Sequence, residues 1–554
     1  MKQEFSLLEE PWICVRLPDC SVRQVSIREA LLHAQDFAGL AGEIRTQDFA
    51  VFRMLLAIVY TVFTRYDTDG QEIHSEDITE DDMLDLWEMV YTSGKFPAAP
   101  FDAYFARWRE RFWLFDEAHP FYQCTTVADR NMMSTGKMIG SLFESANKER
   151  LFSGRREEGR LLDFAEAARW LLHLNCFDDI AAKHPTPKRT YVGPFSLIAL
   201  EGKNFFETMM LNFVAVSDHQ TYLSRPVWEQ DNNVMEYNRR IPMPMDQAEL
   251  LTIPSRRILL HRSDDGNKVD GYMLSGGDYI EEKDVYAEQE TCWIGRQEKK
   301  KGPYSFRPME IRQEDTVKKA WQEFGVIAVA DNQDEADHGK RAPGVIRWMK
   351  FLLEHRMIER DQMVQISMAA MVYNAKQTTC YPVMDHVSDG LTFHSQLIMD
   401  AGYFWRKNVC EVINECDQAA GAVGNLYKKV QYAAGRRDKD DKVTLSGEAD
   451  IKVRFYAEID RIFREWLRNL DVDKGEEYQD DLKKQLRGKA IQLGMECLGQ
   501  AGITAIFGAG ASSAKAMNEY CGRINQIFGK KDKKNEGKSG KSLPVYEVET
   551  GKNG

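Results

Sequence analysis

No two of the ten cysteines are spaced to share a metal ion. Cys14, Cys20, Cys124, Cys176, Cys292, Cys380, Cys410, Cys416, Cys497 and Cys521 include no Cys-x-x-Cys pair, so neither a zinc knuckle nor a dithiol redox motif is signalled. A phosphate-binding loop is missing too. The nearest stretch, Gly508-Ala509-Gly510 to Lys515, has alanine on both sides of the lysine. There is no Gly-x-Ser-x-Gly elbow, and no motif calls for a cofactor. The opening Met1-Lys2-Gln3-Glu4-Phe5 lacks the apolar core of a signal peptide. The most apolar run, 49–63, is too short to span a bilayer and is interrupted by Arg53. It reads as a buried helix, and no membrane partner is expected. Positive charge is in deficit: the net charge is −13. That argues against coating a polyanion by bulk attraction and confines any such binding to local clusters of lysine and arginine. No internal repeat is visible.

What is present describes a large globular protein. At 554 residues, 43% hydrophobic and 29% charged, the chain can build two or more domains with real cores. Large size and dispersed cysteines suggest a reducing cytoplasm. The first few dozen residues read as short strands around Trp12-Ile13-Cys14-Val15 and a helix opening near Ser26. The stretches 46–65, 80–91 and 101–115 have apolar residues at helical spacing. In the last of these, Phe101, Tyr104, Phe105, Trp108 and Phe112 form an aromatic stripe that reads as core. Residues 163–178 form an amphipathic helix, followed by a cationic turn, a Leu197-to-Leu200 strand and a second helix. Residues 220–310 read as strands and turns, with a hairpin around Asp264-Asp265-Gly266-Asn267. From about Ser388 the character changes to long helices, over 389–434, 449–470, 476–500 and 511–528, which suggests an antiparallel bundle. The lysine-rich tail from Gly529 is poor in apolar residues and is expected to be disordered. The fold class expected is therefore α+β: an irregular mixed α/β domain over 1–385, an all-α four-helix bundle over 386–528, and a tail over 529–554.

Several loops carry charge. Residues 128–159 form a long polar loop holding Lys137, Lys148, Arg150, Arg155 and Arg156, with Arg160 just after it, either a surface loop or a segment that orders on a nucleic acid or partner. Residues 297–307 form a basic loop with two aromatics, and Lys299-Lys300-Lys301 is either a binding patch or a solvated charge run. Asp385, His386 and Asp389 could bring two carboxylates and an imidazole together, but so light a trio is more often a helix cap with surface polar groups. We read no catalytic residue from it. Lys428, Lys429, Arg436 and Arg437 read as solvated helix ends. Tyr373-Asn374-Ala375-Lys376-Gln377-Thr378 puts groups suited to minor-groove contact into one short turn between apolar segments.

An ordered set of blocks carries a family resemblance. They are Phe5-Ser6-Leu7-Leu8-Glu9-Glu10-Pro11-Trp12-Ile13; Arg111-Phe112-Trp113-Leu114-Phe115 with His119-Pro120-Phe121-Tyr122-Gln123; the helix from Ala165 to Asp178; Ile198-Ala199-Leu200-Glu201-Gly202; Arg225-Pro226-Val227-Trp228-Glu229; Ser255-Arg256-Arg257-Ile258; and Tyr373 to Thr378. Together they resemble the CasA family, the large subunit of the type I-E CRISPR surveillance complex Cascade. The resemblance implies a noncatalytic subunit of antiviral defense. Its partners would be a guide RNA, a double-stranded DNA target, the other Cascade subunits and the helicase-nuclease effector. The guide RNA would read sequence by pairing, while this subunit reads the protospacer-adjacent motif (PAM) and starts unwinding toward an R-loop.

The resemblance also implies site residues. Gln377 takes the place of a wedge into the duplex, with Lys376 and Thr378 beside it. The family's glycine-rich loop is shortened here: only Gly193 remains near Lys188 and Arg189. A motif-contacting lysine falls among Lys299, Lys300 and Lys301. Leu151, Phe152 and Ser153 fall where the family grips the guide-RNA handle, and an aromatic in a charged loop suits stacking on a base. Two other readings remain open: a hydrolase of unrecognised class using Asp385 and His386, and a protein-only scaffold.

Overall fold

A computed structural model describes residues 4–139, 160–178, 189–193, 195–217, 221–231, 233–244, 246–280, 288–297, 304–309, 318–328, 340–372, 385–435, 442–470, 475–502, 505 and 512–529. Strand β1 (Glu4–Ser6) leads into β2 (Ile13–Arg16) and β3 (Val22–Val25); helix α1 (Ile27–Leu32) and β4 (Gly39–Leu40) follow. β2 is the middle strand of the β3-β2-β4 sheet. Three helices come next, α2 (Arg45–Phe63), α3 (Glu80–Ser93) and α4 (Ala98–Trp108), and β5 (Trp113–Phe115) closes back on β1. β6 (Met133–Ser134), α5 (Phe164–Phe177), β7 (Leu197–Glu201), α6 (Phe205–Asn212) and α7 (Gln247–Leu251) precede the β8 (Arg256–Arg262) and β9 (Val269–Gly276) hairpin. β10 (Trp293–Gln297) pairs with β11 (Tyr304–Pro308) and, after α8 (Phe324–Ile327), with β12 (Lys340–Arg341). Beyond α9 (Gly344–Glu354), β13 (Met363–Val372) and β14 (Asp385–His394) pair over their full length. β7 lies on the other side of β13, giving the order β14-β13-β7. Among the described residues four long helices follow: α10 (Tyr403–Ala433), α11 (Lys442–Arg468), α12 (Gly475–Gln500) and α13 (Ser513–Phe528). The chain is thus a mixed α/β region of small sheets followed by an extensive helical region. It divides into two compact units, the first running to Cys410 with Leu467–Leu470, the second starting at Glu411.

The first unit is built around α2. By length and composition this helix could cross a membrane, yet 94% of its apolar window is buried within the fold. Arg53, which breaks the apolar run, is buried with it and paired (below). Four of the five aromatics of the stripe are core, as its spacing implied: Phe101, Tyr104, Phe105 and Phe112 are buried, while Trp108 is half-buried. Phe101 meets Phe63 edge-on at 5.7 Å, a favoured aromatic geometry. Local sequence fixes the ends of α3. Thr79 and Asp82 form a reciprocal capping box at its start, and Gly94, at φ +73°, ends it in the left-handed conformation.

In the second unit the buried apolar positions recur every three or four residues. Ile451, Phe455, Ile459 and Phe463 mark α11, Leu482, Leu486, Ala490 and Leu493 mark α12, and Ala516, Tyr520, Ile524 and Ile527 mark α13. Side chains link the helices: Lys483 reaches Glu415 at 2.9 Å, Lys489 reaches Glu458 at 3.2 Å, and the Tyr520 hydroxyl donates to the Ala490 carbonyl at 2.6 Å.

Four expectations are corrected. The helical region does not begin at 386–389: Asp385–His394 is a strand, and continuous helix starts at Tyr403. The helix over 101–115 stops at Trp108, and Trp113–Phe115 is a strand because it pairs with β1. The basic loop over 297–307 has strand on its flanks, Gln297 pairing with Tyr304. The polar segment after residue 128 contains β6, which pairs Met133 with Tyr272.

Candidate nucleic-acid interface

The turn carrying Lys376, Gln377 and Thr378 lies outside the described residues, but its two anchors do not. Val372 and Asp385 are the last pair of the β13–β14 hairpin, so residues 373–384 leave from one hairpin end. That end is firmly rooted. Ala370, Val372 and Val387 form a buried apolar cluster, and β7 covers the other edge of β13, from Gln365 opposite Glu201 to Ala369 opposite Leu197. One side chain of β14 also ties the strand to a segment outside the sheet. The Asp389 carboxylate accepts from the backbone N–H of Ala320 at 2.7 Å and from that of Gly390 at 2.8 Å. It thereby caps the first turn of the short 3-10 helix Ala320–Glu323. Asp389 is therefore engaged in structure, from within strand β14 and not at the start of the helix expected from 389. Asp385 and His386 open β14 opposite Val372 and Met371.

Two other candidate segments start from the same sheet end. Because β13 and β7 are antiparallel, the residues of β13 beyond Ala369 run past the first residue of β7, where the segment from Arg189 arrives. In that segment Arg189 is exposed, while Thr190, Tyr191, Val192 and Gly193 are buried. The Tyr191 N–H donates to the Ser255 hydroxyl at 3.1 Å, and the Phe195 N–H to the Val192 carbonyl at 2.9 Å. Lys188 lies outside the described residues. The third segment is the tip of the β10–β11 hairpin. Lys299, Lys300 and Lys301 also fall outside the described residues, but the root of the hairpin sits at the start of β7. The Ser196 N–H donates to the Met309 carbonyl at 3.1 Å, the Met309 N–H to the Cys292 carbonyl at 2.8 Å, and Thr291 bridges to Leu197. Sequence put these three segments far apart; the fold brings their roots together.

A buried ion cluster holds this junction. Arg53, on α2, pairs with Glu288 at 3.1 Å and Glu290 at 2.5 Å, and all three side chains are about 1% exposed. The Glu290 backbone carbonyl in turn accepts from the Ile198 N–H at 2.7 Å, tying the cluster to β7. Burial pushes the Glu290 carboxyl up to about 7, against the pull of Arg53. Nearby, burial pushes the Cys176 thiol up to about 12, so it is an inert core thiol. The connection to α5 is held in the same way: Arg256 bonds the Asp178 carboxylate at 2.8 Å, both about 1% exposed. Sequence reading missed these groups. The available signal was an arginine inside an apolar helix and a Glu288-x-Glu290 pair with no local partner.

The candidate RNA-handle loop has a closed base. Leu162 and Val269 exchange backbone hydrogen bonds at 2.9 Å each, the Thr135 hydroxyl donates to the Arg160 carbonyl, and Arg160 pairs with Glu166 at 2.8 Å. Leu151, Phe152 and Ser153, beyond that base, lie outside the described residues. In the helical region Lys428 pairs with Glu448 at 3.1 Å and Lys429 with Glu519 at 2.5 Å, while Arg436 and Arg437 are outside the described residues. Among the described residues no group of three or more histidine, cysteine or carboxylate side chains is placed to hold a metal ion.

Comparison with known proteins gives one consistent family. A family model described as CRISPR-associated protein Cse1 matches residues 6–493. The CRISPR-associated protein CasA/Cse1 of Thermus thermophilus is 29% identical over 278 residues, 49% of this chain; the match spans about half, 51%, of that relative's length. Among solved structures, Cse1 of Thermobifida fusca superposes with a TM-score of 0.77 at 22% identity, covering 95% of this chain and 98% of that one. Cse1 of Acidimicrobium ferrooxidans gives 0.73 at 20% identity, covering 95% and 99%. A chain of a CRISPR RNA-guided surveillance complex gives 0.65 at 15% identity, covering 94% and 100%.

Proposed function

From its membership of the Cse1 (CasA) family, the noncatalytic large subunits of type I-E Cascade, to which this chain belongs, we propose that it reads the PAM of duplex DNA and starts the unwinding that leads to an R-loop. The observation that carries this reading is the convergence at the start of β7. The roots of the segments bearing Lys376-Gln377-Thr378, Arg189 and Lys299-Lys300-Lys301 meet there. A polyanion can approach a chain of net charge −13 only where cations are gathered, and the three segments that carry lysine and arginine start from this junction. Gln377 acts as the wedge beside the first pair to open, and the lysines hold phosphates. Segments anchored by strand pairing and buried apolar residues suit this work, because a wedge must not yield when a base pair resists it.

The closed base at Leu162 and Val269 supports a second contact, in which Phe152 and its neighbours grip the guide-RNA handle. On this reading α10–α13 form a four-helix bundle beside the displaced strand, and the subunit helps recruit the helicase-nuclease in the cytoplasm. The likeness to a chain of an RNA-guided surveillance complex supports guide RNA, DNA and fellow subunits as partners.

The test is a binding assay with assembled, guide-loaded complex and matched duplexes carrying a panel of flanking trinucleotides. Binding is expected to require this chain, to depend on the flank, and to fall with Gln377→Ala. Binding indifferent to both chain and flank overturns the proposal.

A further inference from the structure

A run of carboxylates with no lysine or arginine of its own surrounds a cavity far along the sequence from the segments above. Residues 66–94 hold ten carboxylates, Asp67, Asp69, Glu72, Glu76, Asp77, Glu80, Asp81, Asp82, Asp85 and Glu88, and no lysine or arginine. Between the loop over 66–78 and α3 lies a cavity of about 420 Å3. That is the size of a cleft that takes a ligand or a pair of anchoring side chains. Its floor is apolar, with the buried Phe63 and Met83 and the half-buried Ile73, Ile78 and Leu86 among the lining residues, while Asp67, Asp77, Asp82 and the more exposed Met89 line it toward solvent.

Helix α3 explains how such a surface arises. Met83, Trp87 and Val90 are buried, and the Trp87 indole N–H donates to the Met210 carbonyl at 2.9 Å. That face anchors the helix. Leu86 and Met89 lie on the neighbouring face and serve the cavity, with Met89 53% exposed. Two arginines close by are already committed, Arg65 to Glu229 at 2.7 Å and Arg107 to Glu72 at 2.5 Å. The rim carboxylates of the cavity have no lysine or arginine among its lining residues.

We propose that this cavity is a docking site for a cationic amphipathic segment of a partner protein, with leucine-like side chains on the floor and lysine or arginine against Asp67, Asp77 and Asp82. Charge complementarity fixes the class of occupant. A nucleic acid is repelled by a surface of this sign, and a simple polycation leaves the apolar floor wet. Only a ligand carrying both features gains from both. Rim charge speeds capture and filled floor positions hold the segment.

The full chain tests this with a fluorescent peptide of alternating leucine and lysine pairs. The controls are the same peptide with glutamate for lysine, and spermine as competitor. The leucine–lysine peptide is expected to bind, more weakly as salt rises, while the glutamate peptide does not and spermine competes poorly. The Asp77→Lys, Met89→Lys double variant is expected to weaken binding by about tenfold or more with an unchanged unfolding temperature. Should the double variant unfold, Asp77→Lys alone, at an exposed position, is the reading variant and is expected to weaken binding in the same direction. Equal binding by variant and parent, equal binding of the glutamate peptide, full displacement by spermine, or no binding of the leucine–lysine peptide each overturns the proposal.

Discussion

The two units of this chain solve the same problem with different chemistry. The second holds long helices together along apolar faces such as Ile451-Phe455-Ile459-Phe463, and its ion pairs are more exposed: the Lys489–Glu458 pair is 36% and 39% exposed and the Lys483–Glu415 pair 16% and 10%. The first joins short strands and irregular connections, and it buries ion pairs between residues distant in sequence. Arg53 with Glu288 and Glu290, Arg256 with Asp178, and Arg257 with Asp278 are all at most 3% exposed. A helix with a 3.6-residue period can specify its neighbours by pattern alone. A loop has no period, so a charge that finds its partner in only one arrangement does the specifying. The cost is desolvation, which makes removal of one partner severe. The unit with costly internal charge is also the one whose sheet roots the candidate DNA-reading segments.

The largest expected effect breaks that comparison at its strongest point. Arg53→Met leaves Glu288 and Glu290 buried without a cation and is expected to cost roughly 3–5 kcal/mol, measured by denaturant unfolding. It also carries a pH signature. The Glu290 carboxyl sits at about 7, above its ordinary value of 4.5. The folded state therefore holds its proton more tightly, and that contribution is full below about 4.5 and lost as pH rises through about 7. Without Arg53 the shift grows, so the deficit of the variant is expected to be smaller at pH 5 than at pH 8. An equal deficit at both would mean the pair does not behave as a buried charge.

Leu486→Ala is the matching cut in the second unit. Leu486 is fully buried, so the loss is roughly 2–5 kcal/mol, with no comparable pH dependence. A smaller effect comes from Asp389→Ala, which leaves the Ala320 N–H without its cap. About 1 kcal/mol of stability is expected to go, together with flank-dependent DNA binding by the assembled complex, while guide loading is kept. Unchanged DNA binding would separate the cap from the reading turn. The smallest effect is Lys489→Ala, whose exposed pair is worth below about 1 kcal/mol and less in high salt. A multi-kcal/mol loss there would erase the contrast between the units.

Much of the fold was legible where pattern is local. The buried helix at α2, the aromatic stripe of Phe101, Tyr104 and Phe105, the β8–β9 hairpin and the helical C-terminal region follow from apolar spacing and turn residues. Asp385–His394 differs from the expected helix because Leu391 and Ile398, seven apart, and Phe393 and Leu397, four apart, also fit helical spacing leading into α10. The alternation of Val387, Leu391 and Phe393 was the strand signal. Trp113–Phe115 continues a helical pattern too, and only its pairing with β1, more than a hundred residues earlier, makes it a strand. The Arg53 cluster was invisible for the same reason, since Glu288 lies 235 residues away. Site residues came from family resemblance, not from local chemistry. What the fold adds is that segments starting near 189, 299 and 376 share one root.

That shared root is the central claim, and crosslinking tests it most directly. A photo-crosslinking amino acid would replace Gln377 in one assembled complex and Lys300 in another, each with matched duplex DNA. The account predicts crosslinks from both positions to the same few base pairs flanking the target. Crosslinks to separate places on the DNA, or from both positions to protein alone, would contradict it.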